Sequence, residues 1–301
     1  MAMRRYGRGD LCGLSVGEES TYGTASIVTE HAGVVRSYDV DLGMEFDEVP
    51  DCGKRTMGKR FVSKRDVTAT VGFRLGKDVS LADWFERTLG WNPGHTACDL
   101  TGSPKSSTVH VKIGPGDHDT LVGCAVNKLT LSSEDLGKAV LVTAEMLARD
   151  VRENDPSFSA LGKAISQSTP VRSFQMWTCA TASIGAVRSG KWTLTVNQNL
   201  QRVAGTDGEI TLGSGQEPYL GNPEVTLEIT LPATSRAWDI LRYEATDGLS
   251  FSTEVGDALI TLSGCIIGGN GPSRSEDPYD ETVTIIASNI TVVKRVETDA
   301  L

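Results

Sequence analysis

The chain of 301 residues contains no run of about eighteen apolar residues, so no helix in it is expected to span a bilayer. It has no CxxC pair, and a zinc ribbon is not supported. Its histidines are four, His31, His95, His110 and His118, none at helical i, i+4 spacing. No HExxH occurs, no GxSxG elbow, and no GxGxxG between a strand and a helix. Gly213-Ser214-Gly215 sits among acids, the wrong setting for a phosphate. Asp117-His118-Asp119 after Gly114-Pro115-Gly116 reads better as a polar turn than as a metal site. Catalysis, metal and cofactor binding are therefore not expected.

Positive charge is also short. Lys and Arg number 29 against 39 Asp and Glu, a net charge of −10. That disfavours a general nucleic-acid binder, which needs a basic face against phosphates, and a cationic membrane-surface protein. Met1-Ala2-Met3-Arg4-Arg5 is followed by no apolar stretch and does not read as a secretory signal. The six cysteines, Cys12, Cys52, Cys98, Cys124, Cys179 and Cys265, are widely spaced and read as mostly buried thiols. Arg8-Gly9-Asp10 and the sequon Asn289-Ile290-Thr291 are short enough to be coincidence.

What remains is a composition with 39% hydrophobic and 23% charged residues, ordinary for a globular chain and long enough for two domains. Strand signals dominate. Val67, Ala69, Val71, Phe73 and Leu75 alternate with polar residues, as do Val225, Leu227, Ile229 and Leu231. Period two with β-branched residues predicts half-buried antiparallel strands. Further strands are expected within 37–46, 108–113, 121–131, 138–148, 173–187, 191–202, 249–254, 258–267 and 281–295. Two segments predict helices. Ser80–Gly90 has Ser80 as N-cap, Gly90 as stop and an apolar stripe of Leu81, Trp84, Phe85 and Leu89. Thr234–Tyr243 carries Ala237, Trp238 and Leu241, and a weaker helical pattern runs from Asp155 towards Ile165.

These elements recur in order. An alternating strand leads to a Trp-bearing helix (Trp84, Trp238), then to a strand ending in Gly-Cys (Gly123-Cys124, Gly264-Cys265), then to a closing strand. A long polar loop precedes each alternating strand, at about 47–65 and 203–223. The pattern predicts a tandem duplication, with domains at 37–148 and 173–301 and a linker at 149–172.

The charge is uneven. Lys54-Arg55, Lys59-Arg60 and Lys64-Arg65 stand at five-residue spacing with no acid among them. Residues 205–257 hold ten acids, including Asp207, Glu209 and Glu217, against Arg236 and Arg242. A solvated basic loop and an acidic surface account for this simply. A nucleic-acid site would want aromatic stacking, for which Phe61 stands alone. Self-association would set the basic loop of one copy on the acidic face of the next, a heterologous contact that builds rings or open stacks.

The duplicated pattern resembles the tail tube (major tail) proteins of tailed phages and related archaeal viruses, in the form with two tube domains per chain. The residues that carry the likeness are the alternating strand Asp66–Leu75, the short helix with Trp84, and the hairpin Asn127–Ala144. The resemblance covers about 37–148 and 173–295. It implies a mainly β fold, a rolled β-sandwich or barrel with one flanking helix per domain, and no enzymatic activity. It implies homo-oligomeric rings, a trimer favoured over a hexamer, stacked into a hollow conduit for genomic DNA. Tape measure, tail terminator and baseplate proteins would be partners, in a virion tail assembled in the host cytoplasm. The polar loops would reach the adjacent ring, which makes Lys54, Arg55, Lys59, Arg60, Lys64, Arg65, Asp207, Glu209 and Glu217 inter-ring candidates. Polar strand faces would line the lumen, with Thr143, Glu145, Thr193, Thr195 and Asn197 as candidates. Residues 1–36 would be an arm that orders on assembly. The alternatives are another virion structural protein, such as a tail terminator or capsid decoration, or a carbohydrate-binding adhesive β-sandwich.

Overall fold

The computed structural model describes residues 13–28, 30–49, 59–77, 79–114, 117–134, 138–154, 171, 177–179, 185–187, 191–201, 220–232, 248–267, 273–274 and 280–295; along 30–31, 34, 42–49, 59–66, 113–114, 185–187, 231–232, 273–274 and 280–281 it describes the backbone. The first strands are β1 (Gly13–Glu18), β2 (Glu30–Val49), β3 (Lys59–Arg74), β4 (Cys98–Asp99), β5 (Ser107–Gly114), β6 (Asp117–Ser133), β7 (Leu141–Ala148) and β8 (Asp150–Glu153). Next come β9 (Trp177–Cys179), β10 (Gly185–Val187), β11 (Lys191–Asn197) and β12 (Glu224–Pro232). The last are β13 (Leu249–Val255), β14 (Ala258–Ile267), β15 (Ser273–Arg274), β16 (Asp280–Ala287) and β17 (Asn289–Lys294). Helix α1 (Leu81–Leu89) lies between β3 and β4. The fold is mainly β, as the alternation predicts.

One antiparallel sheet runs through both halves of the chain in the order β2-β3-β7-β6-β11-β12-β16. The end of β14 and the short β15 lie along the far side of β16. A second set of strands faces the first. β5 and β8 flank the start of β6, with β1 on the far side of β5, while β13 and β17 flank the start of β14. The two sets enclose one continuous apolar cluster. β6 changes partners at Gly123, from β5 and β8 to β7 and β11. β14 does the same at Gly264, leaving β13 and β17 for β16. Both glycines have left-handed φ, +67° and +61°, and a Cβ at position 123 would lie 2.7 Å from that of Arg149. The bend therefore requires glycine.

The alternating segments behave as their period demands. Val67, Ala69, Val71 and Phe73 are buried, and so are Val225, Leu227 and Ile229. Helix α1 starts and stops where expected. The Ser80 side chain accepts from the Asp83 N–H, and the Gly90 N–H donates to the Glu86 carbonyl. Its buried face carries Leu81, Trp84, Phe85 and Leu89, each worth about 1.5–3 kcal/mol of apolar transfer. Trp84 stacks on Phe73 at 4.9 Å and donates its indole N–H to the Ala32 carbonyl. The second predicted helix, 234–243 with Trp238, and the weaker one from Asp155 lie outside the described residues.

Two expectations change. Residues 13–28 and 30–36, expected in an arm, belong to the fold: Leu14 and Val16 are wholly buried and β1 pairs with both β2 and β5. The following turn is anchored by Glu19, a buried carboxylate that accepts from Gly23 N–H, Ser106 Oγ, Thr108 Oγ1 and Gly123 N–H. Three-residue alternation in so short a strand is too weak a signal to stand out from a Gly- and Ser-bearing stretch. The loop expected at 47–65 is largely strand. β2 and β3 stay paired to Val49 and Lys59, and only 50–58 lie outside the described residues.

Candidate functional surface

One face of the long sheet packs on the core; the other carries small polar side chains in rows across the strands. Thr143 on β7 stands between Gly72 on β3 and Thr130 on β6. The row continues through Thr195 on β11 and Thr226 on β12. A neighbouring row reads Thr70, Glu145, Lys128, Asn197 and Glu224. On the other side lie Arg74, Leu141, Ser132, Thr193 and Glu228. The five residues expected on a polar face, Thr143, Glu145, Thr193, Thr195 and Asn197, are thus brought together on one surface, all half-buried. Lys128, Thr130, Ser132 and Thr226 were not singled out from sequence. The same period-two alternation through Lys128–Ser132 and Glu224–Leu231 contains the signal. Threonine suits such a face because its branched β-carbon fits the pleat while its hydroxyl meets water.

The charges of this face are sparse and mostly negative. Asp39, Asp41, Glu145, Glu224 and Glu228 are its acids; Arg74, Lys128 and Lys191 are its bases among the described residues. Lys128 Nζ lies 2.7 Å from Glu145 Oε1, directly across the β6–β7 ladder. Both are partly exposed, so the pair adds little stability. Its effect is on the field: the one lysine in the middle of the face is matched by a carboxylate.

Beyond Val67, where β7 ends, the β2–β3 ribbon continues for seven rungs, from Gly43↔Asp66 to Val49↔Lys59, with no third strand beside it among the described residues. That is roughly 23 Å of projecting hairpin. The basic residues Lys59, Arg60, Lys64 and Arg65 lie on it, with Glu48 opposite Arg60 and Glu45 opposite Lys64. Two of these four basic positions thus share a rung with an acid, while Lys59 and Arg65 share theirs with Val49 and Met44, a register that sequence spacing alone does not reveal. Lys54, Arg55, Asp207, Glu209 and Glu217 lie outside the described residues.

Both edges of the long sheet lack a strand partner among the described residues: the outer side of β2 beyond Val34, and the outer side of β14 and β15 at Ile266–Ile267 and Ser273–Arg274. Ile266 and the opposite Ile286 are 44% and 41% exposed. An unprotected edge of this kind templates pairing with another chain.

Elsewhere among the described residues, the thiols and the histidine pair His110–His118 are buried. Burial first, then the carboxylates of Glu86, Asp99 and Asp83, push the Cys98 thiol up to about 12. Burial and the neighbouring Cys179 push Cys265 up to about 11. Such thiols stay protonated and unreactive at neutral pH. Cys98, Cys124, Cys179 and Cys265 are buried and form no disulfide with one another, while Cys12 and Cys52 lie outside the described residues. His110 is buried against His118, ring centroids 4.9 Å apart; burial, then His118 and Lys112, lower its pKa to about 4. A cavity of about 570 Å³ lies beside α1, walled by Glu86, Arg87, Trp91 and His95. The lysines at its rim are taken, Lys105 by Glu18 and Lys294 by Asp83.

A protein-family model described as phage tail tube protein matches residues 9–288. No curated protein matches the chain.

Proposed function

The chain belongs to the phage tail tube protein family, structural proteins of the virion tail that self-associate, and from that premise we propose that its copies close into rings that stack into the hollow DNA conduit of the tail. The observation that carries this reading is the single polar face that continues from β3 to β12 across both halves of the chain. A conduit for a polyanion must not hold it, because every uncommitted cation adds counterion-release affinity and drag. Threonines, excess acids and a lysine matched by Glu145 meet that requirement, so this face lines the lumen. No catalytic step is assigned to it.

The two halves are duplicated tube domains. In support, Val67↔Ala148 and Leu42↔Val67 in the first half have the counterparts Val225↔Ala287 and Val196↔Val225 in the second. Each copy contributes eight strand positions to the long sheet, counting β14 and β15 as one. With strands about 4.8 Å apart and tilted about 40°, three copies close a barrel about 50 Å across and six close one of about 100 Å. The smaller bore, less its side chains, suits a single duplex, which favours the trimer. The β2–β3 ribbon, a two-stranded element marginal on its own, reaches the adjacent ring with Lys54, Arg55, Lys59, Arg60, Lys64 and Arg65. Asp207, Glu209 and Glu217 are its candidate acidic counterparts. Assembly takes place in the host cytoplasm, with tape measure, terminator and baseplate proteins at the ends of the tube.

Negative-stain microscopy of the purified protein over a range of concentration and salt tests this. Stacked rings or tubes are expected. Closed rings that never stack would point to a terminator or decoration protein, and monomers under all conditions would end the proposal.

A further inference from the structure

We propose that the joint between copies repeats the joint within the chain, in a fixed register that sets Ser273 of one copy opposite Asp41 of the next and Arg274 opposite Val40. The inference rests on the ring reading above and adds to it which edges meet and how.

Within the chain the two halves are joined by β6 and β11. Thr130 stands opposite Thr195 and Leu131 opposite Leu194. Both partners of this joint have counterparts at the open edges. On the receiving side, Leu42 pairs with Val67 as Val196 pairs with Val225, and those two strands pair with Ala148 and Ala287 in the same way. Leu42 therefore matches Val196, Asp41 matches Thr195, and Val40 matches Leu194. On the donating side, Thr130↔Thr143 and Leu131↔Val142 correspond to Ser273↔Thr282 and Arg274↔Glu281. Counting back from Ala148 and Ala287 gives the same alignment, since Thr143 and Thr282 are each five residues before those alanines. β15 thus occupies the place of Thr130–Leu131, and β2 occupies the place of β11.

Substituting counterparts into the internal joint gives Ser273↔Asp41 and Arg274↔Val40, antiparallel like the original. Both strands lack a partner on that side among the described residues. The two edges differ, so the contact is head to tail and closes into a ring once the rotation per half-chain divides the circle. The faces of β2 are fixed by β3, so a one-residue slip would set the two faces of the incoming β15 the wrong way round against them, and the register is strongly specified.

The test uses the full chain with Cys12→Ser and Cys52→Ser as background. Asp41→Cys with Ser273→Cys, and separately Val40→Cys with Arg274→Cys, are assembled, checked by microscopy and oxidised in air. Disulfide-linked ladders of two, three and more chains are expected from each double variant and from neither set of single variants. Tubes that form without ladders, or ladders from Ser37→Cys with Ser273→Cys, four residues out of register, would overturn the register while leaving the ring reading intact. Absence of any ring or tube from the unmodified chain would overturn both. Hydrogen exchange on the unmodified chain gives an independent readout should the variants not assemble. The amides of 37–41 and 273–274 that point away from β3 and β16 should slow about tenfold or more on assembly, and unchanged exchange there contradicts the joint.

Discussion

Leu131 of β6 lies directly opposite Leu194 of β11, and both side chains are wholly buried. The seam between the halves of the chain is therefore continuous sheet over continuous core. Leu194→Ala should destabilise the subunit by about 2–5 kcal/mol through lost transfer energy and the cavity left behind. Urea denaturation of the monomer measures it. A loss under about 1 kcal/mol would mean that the seam is looser than described.

Asp257, in the turn between β13 and β14, caps a helix from the other half of the chain. It accepts from Ser80 Oγ at 2.6 Å and from the backbone N–H groups of Leu81 and Ala82. Asp257→Ala leaves those donors without the carboxylate and should cost about 1–2 kcal/mol, with Asp257→Asn recovering part of it. Equal stability of all three proteins in a denaturant titration would contradict the cap.

The buried His110 sets a pH dependence. Its folded pKa of about 4 lies below the ordinary 6.5, so the unfolded chain binds more protons between those values. Stability should be full above pH 6.5, fall as the pH drops towards 4, and level off below it, a loss of roughly 3 kcal/mol. His110→Gln should flatten that part of the curve in denaturation measured at each pH. An unchanged slope in the variant assigns the dependence elsewhere.

The Lys128–Glu145 pair should govern how the channel face treats DNA. Glu145→Gln leaves the lysine without its carboxylate on every copy. Assembled tubes of the variant should retain DNA at low ionic strength, more than the unmodified tubes, with binding that falls steeply as salt rises. Equal retention by both would remove the pair from the account.

Charge reversal to Glu at Lys54, Arg55, Lys59 and Arg60 should impair stacking more than folding of the subunit. Glu48 lies opposite Arg60, so reversal there also sets like charges across the ribbon. Sedimentation separates rings from tubes and thermal melting reports the fold. Tubes of normal length would refute the ribbon's role.

Much of the fold is legible in the sequence because alternation is a local signal. Val67–Phe73 and Val225–Ile229 declare their buried faces by period two, and Ser80 and Gly90 bracket α1 by their own chemistry. The polar face was partly legible for the same reason: Thr143, Thr193 and Thr195 are the off-beats of buried strands. Register was not. That Glu45 shares a rung with Lys64, that Lys128 meets Glu145, and that Asp257 caps a helix more than 170 positions earlier depend on pairings between distant segments. The strand β1 was hidden because six residues give too few alternations, and its burial comes from neighbours in β2 and β5.

Cryo-electron microscopy of the assembled tube, resolving strands in cross-section, tests the central claim most directly. The account predicts a closed barrel with three chains per ring and Thr143, Thr195 and the Lys128–Glu145 pair facing the bore. A tube in which that face turns outward, or in which the long sheet is not the inner wall, would contradict it.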